Sequence, residues 1–230
     1  MTENTPAATA RAPVACHPLK PFDTKDWSSI AKAFEGATEF TFSQHWMPIK
    51  DESFRPARVR MGWRDDRLLY FAEFTDDNIN TVARERNEQF YRTGDVFEIF
   101  AGFTGDPAYI EYHLSPNNVI LQLRFPDSEA LKNAGHTGLH PFFIMDDNAV
   151  LQAKVEEGRW LIYGELPADS LPGATKPIEG TVWQVSFCRY DYAAGGTSPV
   201  LSSTSLHEQA SYHRRHEWRP IQFRSGLENQ

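Results

Sequence analysis

From residue 57 onward, short runs of β-branched and aromatic residues are closed repeatedly by brief polar turns, and no feature of the chain constrains its fold more. Ala57–Trp63 alternates apolar and basic residues, Arg64-Asp65-Asp66 turns the chain, and Arg67–Phe74 returns it, which predicts a hairpin. Tyr109–Leu114 and Val119–Phe125 flank Ser115-Pro116-Asn117-Asn118, and Ala149–Val155 and Arg159–Glu165 flank Glu156-Glu157-Gly158. Both patterns predict further hairpins. Thr181–Tyr192 reads as one long strand, and Trp218–Phe223 as a closing edge strand, where Pro220 is tolerated. Pro167–Leu171 suits one helical turn, and charged residues 79–92 suit a loop or short helix. No long amphipathic helix alternates with these strands. The chain is therefore expected to be all-β, a single-domain antiparallel β-sandwich of jelly-roll-like type.

One strand carries a question. Thr93-Gly94-Asp95-Val96-Phe97-Glu98-Ile99-Phe100-Ala101-Gly102-Phe103 has an acid in the middle of an apolar run. Strand alternation puts Phe97, Ile99 and Ala101 on one face and Val96, Glu98 and Phe100 on the other. An ion buried alone is too costly, so Glu98 must be paired, protonated, or turned toward a solvated or ligand-filled concavity. Pairing with an arginine such as Arg124 is the structural alternative to a binding role.

Composition narrows the partners. The 230 residues include six Trp and sixteen Phe, enough aromatic area for a sizeable core. A formal charge of −8 argues against nucleic acid or an anionic membrane surface as the main partner. Cys16 and Cys188 form no metal-type or redox pair and read as reduced structural thiols. Residues 1–20, rich in Ala, Pro and Thr, are expected to form a flexible arm or a segment draped over a domain spanning 21–225. The N-terminus has no apolar stretch of secretory type, so a cytoplasmic location is expected, or a secreted or periplasmic one if the chain is trimmed. Nothing in the sequence reports the oligomeric state.

Catalytic signatures are missing: there is no phosphate-cradling glycine loop, GxSxG elbow, HExxH or CxxC. The histidines at 207, 213 and 216 match no standard zinc spacing, and Arg214-Arg215 would repel a cation, so they read as a solvated or hydrogen-bonded loop. Sugar sites, by contrast, combine flat aromatic faces with carboxylate, amide and guanidinium groups that reach neighbouring hydroxyls. Phe90-Tyr91-Arg92, Glu98, His113, Ser115 and Tyr212-His213 supply those types.

The order of several segments resembles the family 9 carbohydrate-binding modules. Val59–Trp63, Leu68–Phe71, Asp76, Asp95–Phe100 and a Tyr-rich strand ending in a polar turn follow that family's succession. Trp183-Gln184-Val185-Ser186-Phe187 and the run from Tyr212 to Phe223 are similar to its W-x-x-N-F and F-H-R-P-E-F-F-G-x-L-x-F closing segments. The similarity extends from about residue 21 over most of the chain. It implies a β-sandwich that binds a sugar or oligosaccharide end between two aromatic side chains without catalysing a reaction.

By that resemblance Glu98 accepts sugar hydroxyls, His113 and Ser115 fall where the family has Arg and Asn, and Tyr212 falls on or beside one platform. The second platform falls on Arg92, with Tyr91 adjacent; Arg215 and Arg219 replace a Pro and a Gly of the closing motif. The family's structural calcium would fall to Asp76, Asp77 and Asn78, for which a plain turn is the alternative. Two rival functions are a hydrolase or lyase acting on a sugar derivative through Glu98, His113 and His213, and a degenerate cleft for another small ligand or a protein partner.

Overall fold

A computed structural model describes residues 11–145, 148–176, 178–193 and 197–226, with backbone alone at 135–137. Numbered in chain order, the large sheet contains β1 (Val14–Cys16), β5 (Val96–Phe103), β6 (Tyr109–Leu114), β7 (Ile120–Phe125), β10 (Val182–Asp191), β11 (Val200–Ser203) and β12 (Arg219–Phe223). The small sheet contains β2 (Thr38–Thr41), β3 (Ala57–Arg64), β4 (Arg67–Thr75), β8 (Val150–Glu156) and β9 (Arg159–Pro167). The strand order is β1-β12-β10-β5-β6-β7 in the first, with β11 also on β10, and β2-β3-β4-β9-β8 in the second. The expected sandwich is present, and the three predicted hairpins fall on β3–β4, β6–β7 and β8–β9. At the first of them Asp65 and Asp66 both take left-handed backbone angles, φ 50° and 57°, the tight turn whose twist matches paired strands.

Three differences from the sequence reading follow from elements too short to show periodicity. Residues 14–16 are not a loose arm: β1 pairs parallel with β12, the one parallel pair among the named strands. The chain then crosses to the other sheet, where Leu19 donates to the Trp63 carbonyl at 2.9 Å and Trp63 to that of His17 at 3.0 Å. β12 is therefore not an edge along its whole length; β1 covers Ile221–Phe223 and leaves Pro220 beyond the covered part. Helix α1 (Trp27–Ala33) and helix α2 (Ser128–Thr137) were not anticipated; Asp26 and Asp127 cap their N-termini through their carboxylates. Residues 1–10 of the expected arm lie outside the described residues, as do residues 194–196.

Apolar side chains form three layers of packing. Between the sheets, Phe97, Ile99 and Phe187 meet Met61, Phe74 and Trp160; Phe74 stacks on Trp160 with ring centres 4.1 Å apart, and Phe97 on Phe187 at 5.9 Å. On the outer face of the small sheet, Ile30 and Phe34 of the α1 segment cover Leu69, Phe71 and Tyr163. On the outer face of the large sheet, Val96, Phe100, Tyr109, Leu123 and Phe125 lie beneath Tyr212 and Trp218 of a long loop. β5 is consequently buried on both faces, with the alternation its sequence predicted. No described helix is long and apolar enough to cross a membrane.

The cross-strand pair Tyr70–Gly164 shows how closely neighbouring strands of the small sheet pack. A Cβ on Gly164 would run into the Tyr70 ring. Gly164→Ala should therefore lower the unfolding free energy by about 1–3 kcal/mol in urea denaturation; an unchanged midpoint would mean that the ring does not lie across this residue.

Candidate functional site

The outer layer over the large sheet is not continuous. It leaves a cleft of about 220 Å³ whose floor comes from β5 and β6 and whose walls come from Tyr91, Tyr190 and the 210–213 loop. Register builds the floor: Glu98 pairs directly with His113 across β5–β6, and Glu111, two residues before His113, shares its face. The loop is pinned from both ends. The Trp218 indole donates to the Tyr212 carbonyl at 2.7 Å, and the Arg215 guanidinium donates to the carbonyls of Asp106 and Phe103 at 2.6 and 3.1 Å. This holds His213 with its ring 5.1 Å from that of Phe100 and its Nδ1 3.2 Å from the Tyr109 hydroxyl.

Polar groups converge on this floor without satisfying one another. His113 Nε2 lies 2.5 Å from Glu111 Oε1, and His113 Nδ1 lies 3.2 Å from Glu98 Oε1. His213 Nδ1 is 3.7 Å from Glu111 Oε2. Glu98 is 1% exposed and His113 2%, yet Glu98 Oε2, Glu111 Oε2 and His113 Nδ1 have no hydrogen-bond partner. Burial pushes the Glu98 carboxyl up to about 8, partly offset by His113 and reinforced by Glu111. Burial also opposes charge on Glu111, but His213 and His113 hold it below the usual carboxylate range. For His113 burial is outweighed by the two acids, which raise it, whereas burial dominates at His213 and lowers it. The floor is thus a carboxylate–imidazole–carboxylate array with lone pairs left over.

The predicted residues divide. Tyr91, Glu98, His113 and Tyr212 line the cleft together. Tyr212, however, is 4% exposed and its hydroxyl donates to the carbonyls of Arg189 and Ser202, so it is a fixed wall rather than an open platform. Arg92 is exposed, lies outside the lining, and rests its guanidinium 5.6 Å from the Tyr91 ring centre. Ser115 is fully buried and serves the β6–β7 turn: its hydroxyl accepts from the Val119 amide at 2.9 Å and lies 2.7 Å from Asn117 Oδ1. Arg124 does not reach Glu98; it donates to the Ser170 carbonyl. Glu111 and Tyr190 were missed. Glu111 could have been found from alternation, since Tyr-Ile-Glu-Tyr-His-Leu places Glu111 and His113 on one side.

The late histidines go three ways. His207 is buried against Glu217 at 2.8 Å, His213 faces the cleft, and His216 is exposed. The residues expected to hold calcium, Asp76, Asp77 and Asn78, line one depression of about 240 Å³ with Arg55 and Asp191, but their side chains are already engaged there. Asp77 pairs with Arg55 at the surface, and the Asn78 amide side chain donates to the Tyr192 carbonyl. Asp76 is buried with Asp95 and Asp191. That group does not fit a calcium ion: the Arg189 guanidinium already lies 3.1 Å from Asp76 and 3.0 Å from Asp191, and Asp95 accepts the amides of Tyr192 and Asn80. A buried guanidinium supplies the positive charge there.

Larger depressions lie over the small sheet, where Arg58 and Glu73 pair with each other at 2.6 Å, between residues 17–22 and α1, and beside residues 141–145, and none of these three is lined by an unpaired buried carboxylate.

Neither a protein-family model nor a curated protein matches the sequence. Solved structures do match. A family 9 carbohydrate-binding module from Caldicellulosiruptor kristjanssonii in complex with cellotriose aligns over 95% of this chain and 96% of its own, with TM-score 0.64 and 15% identity. The structure of such a module from the same organism in complex with glucose gives TM-score 0.62 and 14% identity over 95% and 99%. A Bacteroides uniformis protein provisionally described as carbohydrate-binding aligns with TM-score 0.70 and 11% identity over 91% and 98%. The chain therefore has the β-sandwich fold of the family 9 modules over nearly its whole length.

The Asp76–Asp95–Asp191 group yields a pH test. Burial pushes Asp95 up to about 7, and burial, against the attraction of Arg189, pushes Asp191 up to about 6. Acids raised in the folded state contribute stability below about pH 4 and lose it as the pH climbs through their folded values. The stability of the wild type relative to Asp191→Asn should therefore fall by about 1–3 kcal/mol between pH 4 and pH 7.5 in urea unfolding. A difference independent of pH would mean that Asp191 is ionised throughout.

Proposed function

We propose that the protein binds carbohydrate non-covalently, holding a sugar or the end of an oligosaccharide in the cleft over β5 and β6. The observation that carries this is the pair of unsatisfied carboxylate oxygens on Glu98 and Glu111 at the floor of a tyrosine-walled cleft. A carboxylate oxygen with free lone pairs accepts hydroxyl hydrogens, and two of them side by side suit neighbouring hydroxyls. Tyr91 and Tyr190 offer partly exposed ring edges and faces for the C–H side of a sugar. His113 holds Glu98 and Glu111 in place, and Tyr212 closes the wall. At about 220 Å³ the cleft lies below the ~300–1,000 Å³ usual for larger ligands, which favours one ring over a chain laid along the surface. The modules of the same fold bound to glucose and cellotriose support the reading and make those sugars the first to try.

A second reading, hydrolysis or elimination on a sugar derivative, is favoured by one observation: an acid raised by burial in contact with an imidazole. Turnover of glycosides, read by product release, separates the two.

Calorimetric titration with glucose and with cello-oligosaccharides should show saturable one-to-one binding. Glu98→Gln, which keeps the shape of the side chain, should weaken it at least about tenfold, equivalent to about 1.4 kcal/mol, with an unchanged circular dichroism spectrum. Tyr91→Ala should cost about three- to tenfold. No heat across a panel of mono- and oligosaccharides would remove the sugar assignment and leave the fold.

A further inference from the structure

The floor of the cleft has a property that a sugar site does not require. Glu98 and Glu111 are buried side by side, and their only ion-pair partners among the described residues are histidines. Ionised together, the two carboxylates outnumber His113 between them, so the floor needs a proton or an ion from outside to balance them. The protein meets the same problem elsewhere with Arg189, between Asp76 and Asp191. Here no guanidinium or ammonium among the described residues pairs with either acid, and the floor lines the cleft.

We propose that Glu98, Glu111 and His113, joined by His213 from the cleft wall, bind one divalent transition-metal ion. Glu98, Glu111 and His113 each offer a ligand atom, all within 4.8 Å of one another. His213 Nδ1, 3.7 Å from Glu111 Oε2, becomes a fourth donor from the pinned loop on leaving the Tyr109 hydroxyl, 3.2 Å away. The second observation is the orphaned set: Glu98 Oε2, Glu111 Oε2 and His113 Nδ1 are buried without hydrogen bonds, and their side chains line the cleft. Unpaired buried lone pairs cost free energy unless something occupies them, and a cation satisfies several at once.

The donor set chooses the class of ion. Calcium and magnesium prefer all-oxygen shells, whereas mixed imidazole and carboxylate suit zinc, iron or cobalt. His113 can give one ring nitrogen to the ion and keep the other on a carboxylate, the contact that fixes the tautomer of a metal-bound histidine. With the three floor donors on the ion the fourth position faces the cleft, the arrangement of an open zinc site; with His213 also bound, a ligand reaches the ion by replacing His213 or as a fifth donor. With the ion bound, hydroxyl or carboxylate oxygens of a ligand meet it at that position. The site does not depend on the sugar reading: metal binding without sugar binding, or the reverse, separates the two.

The test uses the untagged full chain, stripped with a chelator and dialysed, and titrated with zinc and with cobalt. About one equivalent of zinc should bind at micromolar or lower free metal, and cobalt should give a visible d–d absorption band at the same stoichiometry. His113→Ala and His213→Ala should each weaken zinc at least about tenfold, while His216→Ala, at the exposed histidine, leaves it unchanged. Because His113 is buried and its variant risks misfolding, the half-buried His213 variant and the wild-type cobalt spectrum decide independently. Wild-type protein with no saturable zinc or cobalt binding overturns the proposal. So does zinc binding that survives His213→Ala and a folded His113→Ala, or calcium bound in preference to zinc.

Discussion

Everything in the molecule is arranged around a strand that is buried on both sides. β5 sits between β10 and β6, and its side chains alternate between the inter-sheet core and an outer apolar layer. Phe97 and Ile99 are committed to the core, so Glu98 has no freedom to turn that way; slipping the register by one residue would put the acid into the sandwich and Phe97 outside it. The outer layer must then cope with a carboxylate. It does so by supplying Glu111 and His113 from β6, on the same face and in the next strand, and by leaving a gap above them. The cleft thus follows from the register of β5 and β6.

The same arithmetic of buried charge is solved differently at two places. Beside β10, the carboxylates of Asp76 and Asp191 lie against the Arg189 guanidinium and Asp95 takes two backbone amides, so the positive charge is supplied from within, although Asp191 Oδ2 and Arg189 Nε make no hydrogen bond. At the floor of the cleft the carboxylates share only imidazoles and keep open lone pairs. Removing one partner from a closed buried group exposes an uncompensated charge and destabilises the fold. An open group is different: what completes it must come from outside, as a proton, an ion or a ligand. That contrast is the physical reason for placing function over β5 and β6 rather than at the acid-rich Asp76 turn.

Much of this was legible in the sequence because it rests on period and on turn chemistry. The hairpins at Asp65-Asp66 and Glu157-Gly158 were readable from local signals, and the two faces of β5 from simple alternation. The acid at 98 was found because it breaks an apolar run, and the order of segments pointed to the fold that the solved structures share. What was not legible depends on distant contacts or very short elements. β1 has three residues and no period, and α1 has seven. Arg189 lies 113 residues from Asp76, so nothing local announces a buried guanidinium in place of a cation. Ser115 has the chemistry of a sugar contact but spends its hydroxyl on its own turn, as serine beside proline and asparagine commonly does. Tyr212 reads as a platform until Arg189 and Ser202 are seen to hold its hydroxyl inside.

Whether a ligand is held in the gap above Glu98 is decided by a crystal structure grown in the presence of a cello-oligosaccharide. Sugar density is expected in the cleft beside Tyr91, with hydroxyls within hydrogen-bond distance of Glu98 or Glu111 or of an ion held between them. Sugar seated elsewhere, such as over Arg58 and Glu73 on the small sheet, with the cleft unchanged, would contradict it.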